Sequence, residues 1–269
     1  MRFGQLVVGP AGTGKTTYCR VIQEHCAAAR RQVFIVNLDP AAEQQSNEVA
    51  LDIRDLIQAD EVMEELDYGP NGALVYCMEY LLDNIDWLQH ALEEFAEDDY
   101  FLFDCPGQME LYSHIPVMRK VVQALQSIEF RIAAVYLIDA TFVVDTPKFL
   151  AGSLQSLAAM VQLELPHINV VTKCDLVDQE ELDKVLEMGS AEMVAQMHER
   201  TRGRLSQLTG ALCTVIDSFS LVSYLPMNVK DEDTIEKVLL HTDHVIQYGE
   251  DLEPTHPDEA EVDPDTPNG

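Results

Sequence analysis

Gly9-Pro10-Ala11-Gly12-Thr13-Gly14-Lys15-Thr16 has the pattern Gly-x4-Gly-Lys-Thr, which restricts the fold of this 269-residue chain more than any other feature. The pattern belongs between a strand and the helix that the loop opens. Here the apolar run Leu6-Val7-Val8 precedes it, and a helical stretch from Thr17 to Arg30 follows. Gly12, Thr13, Gly14 and Thr17 frame a turn whose backbone N–H groups can point inward around phosphate oxygens. Lys15 brings a point charge to the β and γ phosphates, and the Thr16 hydroxyl can ligate Mg2+. The helix adds its positive N-terminal end beneath them.

The rest of the chain alternates short apolar runs with helical stretches, which predicts an α/β fold with a mostly parallel sheet covered on both faces. The expected strands are Gln5–Val8, Val33–Leu38, Tyr100–Phe103, Ala133–Ile138, Ile168–Thr172 and Leu212–Ile216. Each is apolar almost throughout, as strands buried on both faces are. Helices are expected over Thr17–Arg30, Tyr76–Phe95, Ile115–Ile128, Lys148–Leu163, Asp178–Leu208 (broken near Gly189) and Glu232–Gln247. This is the P-loop NTPase pattern as one domain over residues 1–249, with helical insertions at about 41–95 and 178–208. Residues 250–269 carry eight acidic residues, four prolines and no lysine or arginine. Such a tail is expected to be disordered.

A formal charge of −30 argues against direct nucleic-acid binding and against docking on anionic membranes. No apolar run approaches the roughly 20 residues of a membrane span. The start Met1-Arg2-Phe3-Gly4 leads straight into the first strand, so no secretory signal is expected. Six scattered cysteines lack metal-ligand or disulfide spacing and read as buried thiols. A cytoplasmic protein with access to the nucleus is the expectation.

The remaining chemistry sits at strand ends. Tyr100–Phe103 runs into Asp104-Cys105-Pro106-Gly107, an Asp-x-x-Gly in which Asp104 can hold Mg2+ and the Gly107 amide can sense a γ-phosphate. Alone, a strand-end aspartate is often only a cap. Gln108, and after it Glu110, follow where a side chain can orient an attacking water; the less favoured reading makes both solvent-exposed helix-start residues. Asp39 emerges at the carboxyl edge after Val36-Asn37-Leu38, where open α/β sheets place ligands, and can join the Mg2+ ligands or activate water. Thr172-Lys173-Cys174-Asp175 ends another strand. The Asp175 carboxylate can accept paired hydrogen bonds from guanine N1 and its amine, a donor pair adenine lacks. The Lys173 stem can cover the base, and Thr172 stands where GTPases usually carry asparagine. GTP is therefore favoured over ATP, with the closing base-side loop expected around Leu225 and Pro226.

Between the second strand and Asp104 lies Gly69-Pro70-Asn71-Gly72, read from its residues as a rigid turn presenting the Asn71 amide. With Gly9–Thr16, Leu38–Ala41, Asp104–Glu110 and Thr172–Asp175 beside it, the chain resembles the GPN-loop GTPases from Gln5 to about Leu252, most of all their third eukaryotic subgroup. The resemblance implies a Mg2+-dependent GTP/GDP switch in which Gly69, Pro70 and Asn71 reach the nucleotide of a dimer partner. That partner would be a paralogue of the first subgroup or a second copy of this chain. Pro10 stands where related dimeric ATPases often carry a signature lysine. The resemblance further implies support of RNA polymerase II assembly and nuclear import, through contacts with polymerase subunits. Two other readings stay open. A small-molecule kinase would share the loop and sheet, with Arg200, Arg202 and Arg204 as the lid arginines. An assembly scaffold would use nucleotide binding only to shape a surface.

Overall fold

Strand β1 (Arg2–Val8) runs through the middle of the sheet, and its alternate side chains enter two different cores. In the computed structural model, residues 1–42, 49–113, 115–188, 192, 195, 204–218 and 224–250 are described. After β1 come α1 (Lys15–Ala28), β2 (Val33–Asn37), β3 (Leu51–Asp52), α2 (Ala59–Leu66), α3 (Pro70–Asp83), α4 (Ile85–Glu93) and β4 (Tyr100–Asp104). Next are α5 (Glu110–Ser113), α6 (Val117–Ser127), β5 (Phe130–Asp139), α7 (Ala140–Val143), α8 (Thr146–Leu163) and β6 (His167–Thr172). The described chain closes with α9 (Gln179–Leu186), α10 (Arg204–Ser218), β7 (Tyr224–Pro226) and α11 (Glu232–Ile246).

Seven parallel strands lie in the order β3-β2-β4-β1-β5-β6-β7. The period of two in a strand explains why these runs are apolar throughout. Leu6, Phe101, Phe103, Ala134 and Tyr136 face one core, which α3, α4, α6 and α8 cover with Met78, Leu88, Leu125 and Ala159. Val7, Tyr100, Leu102, Val135 and Leu137 face the other, beneath Ile22 of α1 and Val238 of α11. At the edge away from the phosphate loop, the Arg31 guanidinium stacks on Tyr100 and Tyr248 at 4.3 and 4.0 Å and bonds Asp243 of α11. That contact ties the last helix to the sheet. All six cysteines are free and buried.

Several elements differ from expectation. Leu212–Ile216 belongs to α10, because a short apolar run fits a half-buried helix as well as a strand. The seventh strand is Tyr224–Pro226, whose proline is tolerated because β7 is the sheet edge. Tyr76–Phe95 is two helices that break at Asn84, whose side chain caps the Tyr80 carbonyl at 2.9 Å. The first insertion also adds β3, two residues long, beside β2.

Gly69-Pro70-Asn71 is not a free turn but the start of α3. Gly69 is the N-cap with φ −71° and ψ 164°, and Pro70 takes the first helical position, where its missing N–H costs nothing. The bend instead falls on Asp67, at φ 56°. In the second insertion, Asp178 caps α9, and Leu182 and Val185 pack against Ile138, Val143 and Phe149. Most of the stretch from Gly189 to Gly203, including Arg200 and Arg202, and the tail from Asp251 lie outside the described residues.

Candidate functional site

At the carboxyl edge, the ends of β1, β2 and β4 lie side by side, with Val7 and Asn37 each in register with Asp104. Gly9 turns the chain away from β1 at φ 144°, and a Cβ there would sit 2.6 Å from the Leu137 carbonyl oxygen. No other residue fits this close approach. Gly14, at φ 88°, is the N-cap of α1 and supplies no side-chain cap. The first amides of the helix therefore keep the unfilled donors that bind anions.

Beneath the loop, the buried Lys15 ammonium lies 3.2 Å from the Gly9 carbonyl and 3.4 Å from that of Pro10. The Thr16 hydroxyl donates to Asp104 Oδ2 at 2.6 Å. Burial pushes Asp104 up to about 6, with a further push from Asp39, against the pull of Thr16 and Lys15. Burial also raises Asp39, although the Ala41 amide, Lys15 and Arg54 work against it. Two carboxylates whose charge is this costly, beside a hydroxyl, form a donor set suited to a hard divalent cation. Thr16, Asp39 and Asp104 fit the expected Mg2+ site on that ground.

One cleft of about 610 Å3 brings together Gly12, Gly14, Lys15, Thr16, Thr17, Asp39, Asp104, Gly107, Gln108 and Lys173. Gly107 lies hard against the phosphate loop, since a Cβ there would meet Ala11 backbone atoms at 2.9 and 3.0 Å. Tyr112 fixes this Asp-x-x-Gly segment by donating to the Pro106 carbonyl at 2.6 Å. A second cavity, about 100 Å3 and lined mostly by apolar surface, shares Gly14, Thr17 and Lys173 with the cleft and adds Thr13, Thr172, Asp175, Met227 and Val229. The pair has the shape of a phosphate site opening onto a base slot.

The Thr172 hydroxyl lies 2.7 Å from the Thr13 carbonyl and 3.2 Å from that of Ile138. Threonine thus ties the base strand to the phosphate loop from the position that usually holds asparagine. Lys173 adopts φ 58°, and its ammonium pairs with Asp139 Oδ2 at 2.7 Å. Asp175 Oδ2 accepts from Lys230 at 2.8 Å, which holds the carboxyl below its usual range. Leu225 and Pro226, around which the base-side loop is expected, are β7 itself, and Met227 and Val229 just beyond it line the cavity.

Two expected groups stand apart from this cleft. Glu110 is exposed at the first position of α5, and Gly69, Pro70 and Asn71 are exposed at the start of α3. Neither group is among the residues that line it. Sequence reasoning also missed a support beneath Asp39. Asn37 Oδ1 accepts from the Asp39 amide at 3.0 Å, while its Nδ2 donates to Asp52 at 2.9 Å. Asp52 is clamped in turn by Arg54, which also reaches the Ala42 carbonyl at 3.1 Å. Asn37 at the strand end was a visible signal, but nothing in the sequence joined it to Asp52 and Arg54.

The parallel sheet, phosphate loop and strand-end carboxylates define a P-loop nucleotide-binding protein. A family described as conserved hypothetical ATP binding protein matches residues 7–248. A GPN-loop GTPase 3 of Danio rerio is 49% identical over 99% of this chain and 95% of its own. One of Dictyostelium discoideum is 49% identical over 94% and 90%. The chain belongs to the GPN-loop GTPase family. Its fold is also that of an apo-form GTPase from Pyrococcus abyssi, with TM-score 0.76, 24% identity and coverage of 90% of this chain and 97% of that one.

Proposed function

We propose that this GTPase is a Mg2+-dependent dimeric switch, each of whose sites is completed by the other subunit. The observation that carries the reading is the cleft, which gathers Lys15, Thr16, Asp39, Asp104 and Gln108 beside a base slot holding Asp175. Lys15 and the α1 amides bind the phosphates, and Asp175 selects guanine. Gln108 orients water for in-line attack, with Asp39 assisting the proton transfer. Mg2+, held through Thr16, Asp39 and Asp104, would neutralise charge on the phosphate oxygens. Asn71 is exposed on α3 and outside its own cleft, which supports its delivery to the nucleotide of a partner. That partner is a first-subgroup paralogue or a second copy.

By family, the switch serves assembly and nuclear import of RNA polymerase II, in a cytoplasmic protein that shuttles to the nucleus. The charge of −30 suits basic protein surfaces as its targets. A mixing experiment tests the trans arrangement. Asn71→Ala leaves nucleotide binding intact but slows turnover, whereas Lys15→Ala abolishes binding. Mixed dimers should regain hydrolysis, because the Lys15→Ala chain supplies Asn71 to its neighbour's nucleotide. Variants that associate without any recovery of single-turnover rate sink the proposal.

A further inference from the structure

Beside the base slot, paired with its Asp175, lies a cation that no step of the proposed switch uses. Lys230 lies 55 residues beyond Asp175, yet its ammonium is 2.8 Å from Asp175 Oδ2. Its backbone is set by its surroundings. The Met227 amide donates to the Val171 carbonyl at 2.8 Å, the Asn228 amide to Thr234 Oγ1 at 3.0 Å, and the Lys230 amide to Asn228 Oδ1 at 3.0 Å. The Lys230 side chain is 72% exposed, while that of Asp175 keeps 18% of its surface. An ammonium on a fixed stem can therefore re-aim at little cost, because exposed ion pairs hold weakly. Lys173, the neighbouring ammonium, is engaged by Asp139 at 2.7 Å.

Guanine presents N1–H and its amine to a carboxylate and, next to N1, the acceptor O6. When Asp175 takes the two donors, O6 comes to lie alongside the carboxylate oxygen that accepts N1–H. Two oxygens that close repel unless a donor lies between them. We propose that Lys230 is a specificity residue of the base slot, its ammonium bridging Asp175 and guanine O6. Adenine carries an amine where guanine carries O6, so the same ammonium faces a donor and rejects it. The slot then reads three positions of the guanine edge with two side chains.

This rests on the guanine reading, and the experiment keeps the two apart. GDP, IDP and 2-aminopurine riboside diphosphate are titrated calorimetrically into the full-length wild-type chain and into Lys230→Met. IDP keeps O6 and N1–H but lacks the amine, whereas the 2-aminopurine nucleotide keeps the amine but lacks O6 and, with it, N1–H. The variant should bind GDP and IDP on the order of tenfold more weakly, by the same factor, as expected for loss of one charge-assisted hydrogen bond at an open site. Its affinity for the 2-aminopurine nucleotide should change far less, and Lys230→Arg should retain most of the GDP affinity.

Unchanged or tighter GDP binding by Lys230→Met would make the lysine a bystander or a latch that guanine displaces, and would overturn the proposal. An equal loss for all three nucleotides would reduce the lysine to long-range attraction of phosphate and would overturn it too. A wild-type chain that fails to prefer GDP over ADP sinks the guanine reading itself.

Discussion

Replacing Asp104 by asparagine should stabilise the nucleotide-free protein while disabling its site. Asp104 is 5% exposed, and its folded-state value stands near 6 against an ordinary 3.8. That interval corresponds to roughly 3 kcal/mol spent on keeping a buried charge. The native state holds a proton that the unfolded chain has already released between these two values. The stability conferred by the raised value is therefore fully present below pH 3.8 and lost as pH rises through about 6. About 1.5 kcal/mol of that loss falls between pH 5 and pH 7.5.

Asparagine still accepts the Thr16 hydroxyl through its amide oxygen, so the Asp104→Asn chain should lack this slope. Urea unfolding of both proteins at pH 5 and 7.5, without nucleotide or Mg2+, gives the four free energies required. The variant should be the more stable protein at pH 7.5, by up to about 3 kcal/mol. In the same variant, the enhancement of nucleotide affinity by Mg2+ should be lost. Parallel pH dependences, or a variant less stable at pH 7.5, would refute the burial argument.

Two further outcomes follow from contacts within the cleft. Thr172→Val removes the hydroxyl bond to the Thr13 carbonyl and should weaken GDP binding by about 1 kcal/mol, whereas Thr172→Asn should restore most of it, both read by calorimetry. Gly107→Ala places a methyl within 3.1 Å of three Ala11 atoms, so the Asp-x-x-Gly segment must move off the phosphate loop. Its single-turnover hydrolysis rate should fall at least tenfold, with a smaller change in GDP affinity, if the Gly107 amide senses the γ-phosphate as proposed.

The phosphate loop, the strands before it and beside it, and the two-faced sheet were legible because their signals are local. A glycine pattern between an apolar run and a helix specifies its own geometry. Full burial on both faces leaves an unbroken apolar run in β4, all five of whose residues are buried. Asp39, Asp104 and Asp175 could be assigned to the carboxyl edge for the same reason, as the first two directly follow or end such a run and Asp175 stands three residues beyond one. Where length and periodicity were ambiguous, local reading failed. Leu212–Ile216 read as a strand but formed a helix, and the proline-containing edge at Tyr224–Pro226 carried too few residues to stand out.

By itself, then, the sequence determined a nucleotide-binding α/β sheet, its phosphate cradle and the side chains offered to the ligand. Tertiary structure decided which distant groups meet. Asn37 found Asp52 and Arg54 inside the first insertion, and Lys230 reached Asp175 across 55 residues. It also converted the Gly69–Asn71 turn into the exposed start of α3, because a proline at the first helical position suits a helix as readily as a bend. Pairings of this kind depend on the packing of whole elements, which no short stretch of sequence encodes. The base slot is therefore specified by the sheet edge, where β6 and β7 bring the remote loops carrying Asp175 and Lys230 into contact.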